Sequence, residues 1–91
     1  MLERDIEVLF RKLVRQAGGV IHKLDSRARK GSPDRVVTLP GRPTFYVELK
    51  TERGRLSPLQ QKEIDDILSA GGNVRVLYGE RAVREFVSAD A

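Results

Sequence analysis

Hydrophobic residues recur at Ile6, Leu9, Phe10, Leu13, Val14 and Ala17, the i, i+3, i+4, i+7 spacing that turns one face of a helix toward a core. The spacing predicts a helix over 2–17, and Gly18-Gly19 stops it. Val20 to Leu24 reads as a short strand, with His22 a surface or half-buried member of it. Residues 25–33 show no period and contain Gly31 and Pro33, which marks a loop. Two more strands follow, Arg35 to Leu39 and Thr44 to Lys50, and the tight Pro40-Gly41-Arg42-Pro43 link predicts an antiparallel hairpin. Ser57, Pro58 and Gln60 open the next helix as N-cap, first helical residue and capping-box partner. Its inward stripe is Ile64, Ile67 and Leu68, and Gly71-Gly72 ends it. Asn73 to Tyr78 is a further strand, and strand–helix–strand order predicts a right-handed crossover with 74–78 parallel to 44–50. Residues 80–87 form a closing helix, and the tail 88–91 is expected to fray. The order αβββαβα predicts one α/β domain, a mixed sheet flanked by helices.

The strand at 44–50 changes the picture from fold to chemistry. Side chains alternate along a strand, so Phe45, Val47 and Leu49 share one face while Tyr46, Glu48 and Lys50 share the other. Asp34 heads the neighbouring strand, and pairing of the two runs brings it near Glu48 and Lys50. Two carboxylates this close repel, and one tends to keep a proton unless a cation lies between them. The chain has no cysteine and a single histidine, which excludes disulfides, thiolate sites and most zinc chemistry. A metal held here needs oxygen ligands, which favours Mg²⁺ or Mn²⁺. Asp34, Glu48 and the main-chain carbonyl of Leu49 supply such a set, and Lys50 is placed to orient an attacking water and stabilise developing charge.

Charge adds a partner. The net charge is +4, and its placement is uneven. Lys23 to Arg55 carries nine Lys/Arg against four Asp/Glu, and the rest of the chain carries eight against nine. The surplus therefore surrounds the candidate site, which suits a polyanion. Arg27, Arg29, Lys30 and Ser32 precede Asp34, and Arg53 and Arg55 follow Lys50, so both loops are candidate nucleic-acid contacts. A composition of 40% hydrophobic and 33% charged residues is that of a globular domain. No leader or spanning segment is evident in the residues, so a cytoplasmic location is expected and a membrane partner is not.

Gly31-Ser32-Pro33-Asp34 followed by Glu48-Leu49-Lys50 resembles the PD-(D/E)XK nuclease motif. The flanking residues resemble more narrowly the VRR-NUC group: Glu3-Arg4-Asp5-Ile6-Glu7 on the first helix, Phe45 to Lys50, and Gly54 to Gln60. Helix–strand order, the E-x-K triplet and the later glutamine also resemble archaeal Holliday-junction resolvases. The resemblance implies a restriction-endonuclease-like αβββαβ core with a C-terminal helix. It implies a Mg²⁺- or Mn²⁺-dependent DNA endonuclease, structure-selective on branched or junction DNA and homodimeric as stand-alone phage members are, with no nucleotide cofactor. Asp34 and Glu48 would bind metal, Lys50 would be the catalytic lysine, Glu3 the helix-borne acid and Gln60 an auxiliary residue. Glu7 lies one turn after Glu3 and competes for the acid's role. On a helical wheel Glu3 lies roughly 50° from the centre of the apolar stripe and Glu7 roughly 90°, which favours Glu3. The expected setting is the cytoplasm of a bacterium or a phage-infected host.

Two alternatives accompany that reading. A less selective nicking or flap nuclease would use the same residues. A nucleic-acid-binding module of the same fold, without activity, would have little use for paired carboxylates facing a polyphosphate.

Overall fold

The computed structural model describes residues 1–25 and 29–89. Its elements are α1 (Glu3–Gln16), β1 (Val20–Lys23), β2 (Arg35–Thr38), β3 (Phe45–Lys50), α2 (Pro58–Ser69), β4 (Val74–Tyr78) and α3 (Gly79–Ser88). The strands form one sheet in the order β1-β2-β3-β4. The β1/β2 and β2/β3 pairs are antiparallel and β3/β4 is parallel, as the tight 40–43 link and the intervening helix demand. The expected α/β mixed sheet with flanking helices is therefore the architecture found. Among the described residues no helix is long and apolar enough to cross a membrane.

The sheet's two faces carry different loads. Val37, Leu39, Phe45, Val47, Leu49 and Leu77 meet Ile6, Phe10 and Val14 of α1 and Val83 and Phe86 of α3 in one apolar cluster. Phe86 anchors it, edge-on to Phe45 at 5.3 Å between ring centres. Arg42 covers this end, its guanidinium 4.4 Å above the Phe86 ring and donating to the Phe86 carbonyl at 2.6 Å. The opposite face is thinner. Helix α2 buries only Ile64 and Glu63, and Leu68, expected on its inward stripe, is 51% exposed. Glu63 takes a buried place because Arg29 reaches it from the loop before Asp34, Nε to Oε2 at 2.5 Å. The same guanidinium touches Asp66 at 3.4 Å, so this loop is clasped to α2.

Local devices then fix the ends of the elements. Ser57 and Gln60 exchange the two hydrogen bonds of a capping box, at 2.9 and 3.1 Å. Gly31 adopts φ +81°, and a Cβ there would lie 2.7 Å from Leu59 Cγ and 2.9 Å from its carbonyl oxygen. Only glycine lets the loop before Asp34 approach the first turn of α2 so closely.

One cation is buried against the grain of the pattern. Arg35 is 3% exposed at the start of β2 and bridges Glu7 of α1 at 2.5 Å and Asp34 at 3.0 Å. Its Nε has no hydrogen-bond partner among the described residues. The pair ties α1 to the end of the sheet, and breaking a buried pair from one side leaves an uncompensated charge.

Gly31→Ala should lower stability by about 2 kcal/mol through strain and the clash with the Leu59 backbone. Urea unfolding checks this; a loss no larger than for an exposed Gly71→Ala control would deny Gly31 its packing role. Glu7→Ala should cost about 2 kcal/mol by leaving the buried Arg35 with Asp34 as its remaining carboxylate, and Glu7→Ala/Arg35→Met should recover part of that loss in a double-mutant cycle.

Candidate active site

The β2/β3 ladder ends with Arg35 opposite Val47. Carried one step further, the register sets Asp34 opposite Glu48, on the face away from the apolar cluster. There the sheet opens into a cleft of about 350 Å³. It is walled by Asp34, Glu48, Leu49 and Lys50 from the strands, Glu3, Arg4 and Glu7 from α1, and Gln60 from α2. Every residue expected to act chemically thus lines one cavity, drawn from four separate stretches of the chain.

The backbone explains why Leu49 has a carbonyl to offer. Tyr46 donates its N–H to Asn73 ahead of β4, so residues 46, 48 and 50 turn their amides toward β4 and residues 45, 47 and 49 toward β2. Beyond Val47 the position facing Leu49 falls to Pro33, which has no N–H to donate. The buried Pro33 therefore ends the ladder where a free carbonyl is useful.

Glu48 is the electrostatic centre of the cleft. It is 9% exposed, and its carboxyl is pushed up from the ordinary range to about 7. Burial is the main cause and the charge of Asp34 the next, with Glu3 adding to it; Lys50 and Arg35 pull the other way. The two acids of α1 separate by partner. Glu7 is held by Arg35 and by Arg11 at 3.1 Å. Glu3 has no ion pair among the described residues and acts on Glu48 through space. The wheel angle predicts Glu3 as the more inward of the two, yet Glu3 is exposed and Glu7 partly buried. The first turn of α1 overhangs the end of the sheet, and Ile6 is its first buried residue.

Donor chemistry fits a hard divalent cation. Among the described residues no group of three or more His, Cys, Asp or Glu side chains is close enough to hold a metal. Asp34, Glu48 and the Leu49 carbonyl can still contribute three oxygens, and Mg²⁺ commonly keeps several of its waters. Burial first, and Asp34 and Glu3 after it, disfavour the Glu48 charge, and a bound cation would oppose both effects.

The expected nucleic-acid contacts divide. Lys30, Arg53 and Arg55 are exposed and carry no ion pair among the described residues. Arg29 is spent on Glu63 and Asp66, and the Ser32 hydroxyl donates to the Pro33 carbonyl at 3.1 Å. Arg27 lies outside the described residues. Gln60 serves its capping box and the cleft wall together. Arg35, Arg4 and Glu63 are not among the residues expected from sequence. For Arg35 the signal was its parity, since it shares a strand face with Val37 and Leu39.

The chain matches the VRR-NUC domain family over residues 5–81. That span takes in Asp34, Glu48, Lys50, Gln60 and Glu7, and starts two residues after Glu3. A relative from Acyrthosiphon pisum secondary endosymbiont phage 1, named "Putative nuclease p44", is 36% identical over 75 residues, 82% of this chain and 81% of the relative. A solved structure described as a VRR_NUC domain superposes with a TM-score of 0.85 at 27% identity, covering 98% of this chain and 97% of that one. Family model, relative and fold agree with one another: the chain belongs to the VRR-NUC family of nucleases.

Proposed function

We propose that the protein is a Mg²⁺- or Mn²⁺-dependent DNA endonuclease that hydrolyses phosphodiester bonds at this cleft. The observation that carries the reading is the gathering of Asp34, Glu48 and Lys50 around one cavity, with Glu48 raised to about 7. A divalent ion, when bound, supplies charge for the phosphate oxygens and acidity for a water. Asp34, Glu48 and the Leu49 carbonyl would hold it. Glu48 must shed its proton first, and Lys50, on the same strand face, would orient the water and offset charge as it builds on phosphorus. Glu3 would receive a proton or fix a second water at the overhanging end of α1. Lys30, Arg53 and Arg55, exposed on the loops before Asp34 and after Lys50, would serve as phosphate contacts. The expected products carry 5′-phosphate and 3′-hydroxyl ends.

The finer reading is selectivity for branched DNA by a homodimer in the cytoplasm of a bacterium or phage-infected host. Two clefts related by a two-fold axis suit paired nicks across a four-way junction. Sedimentation should give twice the monomer mass, and a monomer at all concentrations would remove the dimer.

Labelled junction, duplex and single strand, incubated with Mg²⁺, Mn²⁺ or chelator, test the activity. Lys50→Ala should reduce cutting by at least about 100-fold while DNA binding persists; equal loss of both would assign Lys50 to folding.

Glu48 also sets a pH dependence. Only its ionised form attracts the cation, so apparent Mg²⁺ affinity should rise about tenfold from pH 6 to pH 8 and then level. Stability runs the other way. The folded state holds the Glu48 proton more tightly than the unfolded chain, so the metal-free protein loses stability from about pH 4.5 to about 7. Glu48→Gln, inert in catalysis, should therefore be the more stable protein at pH 8, by about 2 kcal/mol. Identical unfolding curves for the two proteins across that range would show that Glu48 titrates normally.

A further inference from the structure

From Val8 to Leu24 the chain contains no Asp or Glu, and it carries Arg11, Lys12, Arg15 and Lys23. The fold places these cations on one flank. At 100° per residue Arg4, Arg11 and Arg15 fall within roughly 40° of one another and Lys12 roughly 60° beyond, turned well away from the buried line Ile6, Phe10, Val14. Arg4, Lys12 and Arg15 are exposed, and the Arg11 side chain is 44% exposed. Lys23 extends the stripe onto β1: it is exposed, and as the ladder partner of Arg35 it shares the sheet face that α1 covers. Of the carboxylates near the stripe, Glu7 is already engaged by Arg35 and Arg11, and Asp5 accepts the Leu2 amide at the start of the helix. Arg4 also lines the cleft. The positive stripe therefore starts at the wall of the active site and runs roughly 16 Å along α1 to Arg15.

We propose that this flank of α1, with Lys23, seats the sugar–phosphate backbone of a duplex arm leaving the cleft. It is a nucleic-acid contact separate from the loops around Lys30 and Arg53. The polyanion's identity rests on the nuclease reading above; the surface itself rests on charge and placement. Exposed cations that outnumber the acids beside them from Val8 to Leu24 raise the potential along a continuous track, and phosphates spaced along a strand are the matching partner. Sixteen ångströms is about half a duplex turn, so an arm must extend about five base pairs from the cleft to use the whole stripe.

The test compares wild-type protein with Lys12→Gln/Arg15→Gln, and with Lys12→Arg/Arg15→Lys as the charge-keeping pair. Binding to junctions with arms of about 4 or about 12 base pairs is measured in chelator from 50 to 200 mM salt, and cutting is assayed in parallel with Mg²⁺. On long arms the neutral pair should bind about tenfold more weakly, with a log–log salt slope shallower by about 2. The charge-keeping pair should restore the slope, and short arms should show no difference. A slope unchanged by neutralisation, with cutting intact, overturns the flank and leaves the nuclease reading standing. A slope that falls as expected in a protein that cuts nothing supports the flank and overturns the nuclease reading.

Discussion

A buried guanidinium governs this molecule. Arg35 sits where the sheet opens, held between Glu7 and Asp34. Burying an arginine is costly unless its partners are well placed, so α1 and the head of β2 are constrained to one relative position. That position also fixes the overhang of Glu3 and the reach of Asp34 toward Glu48. Glu48 remains raised mainly because it is buried, and the repulsion from Asp34 and Glu3, which Lys50 and Arg35 moderate, adds to that. A site of three acids and one lysine can therefore exist in a folded chain before any other ion arrives.

Support for the cleft comes from small, local rules that agree. Pro33 ends a ladder, Gly31 admits a close approach, and the Ser57–Gln60 box fixes the start of α2. Arg29 and Glu63 clasp the preceding loop to that helix. Each places one wall of the cavity, and none belongs to the apolar cluster on the other side of the sheet.

Much of this was legible in the residues alone. Period and caps located all seven elements, and alternation in β3 assigned each of its side chains to the correct face. The gathering of Asp34, Glu48 and Lys50 needed only hairpin geometry and parity. Three features were not read. The ion pairs of Arg35 and Glu63 join residues far apart in sequence, and propensity does not encode such partners. The order of burial of Glu3 and Glu7 depends on where the sheet stops beneath the helix, which a wheel projection ignores. Leu68 fits an inward stripe by spacing, but α2 covers its face too thinly to bury it.

The alternation within β3 has a consequence for how such a chain can diverge. Phe45, Val47 and Leu49 belong to the core, while Tyr46, Glu48 and Lys50 face the other way, the latter two into the cleft, and one step of register separates the two sets. Inserting or deleting a single residue inside this strand would exchange them, sending a carboxylate and an ammonium into the oil and the aliphatics into the cleft. Length change is tolerable only outside the strand, as at the exposed Pro40-Gly41 turn. Lineages descending from this chain are free to remodel their loops, but they inherit the spacing of these six residues as a fixed quantity.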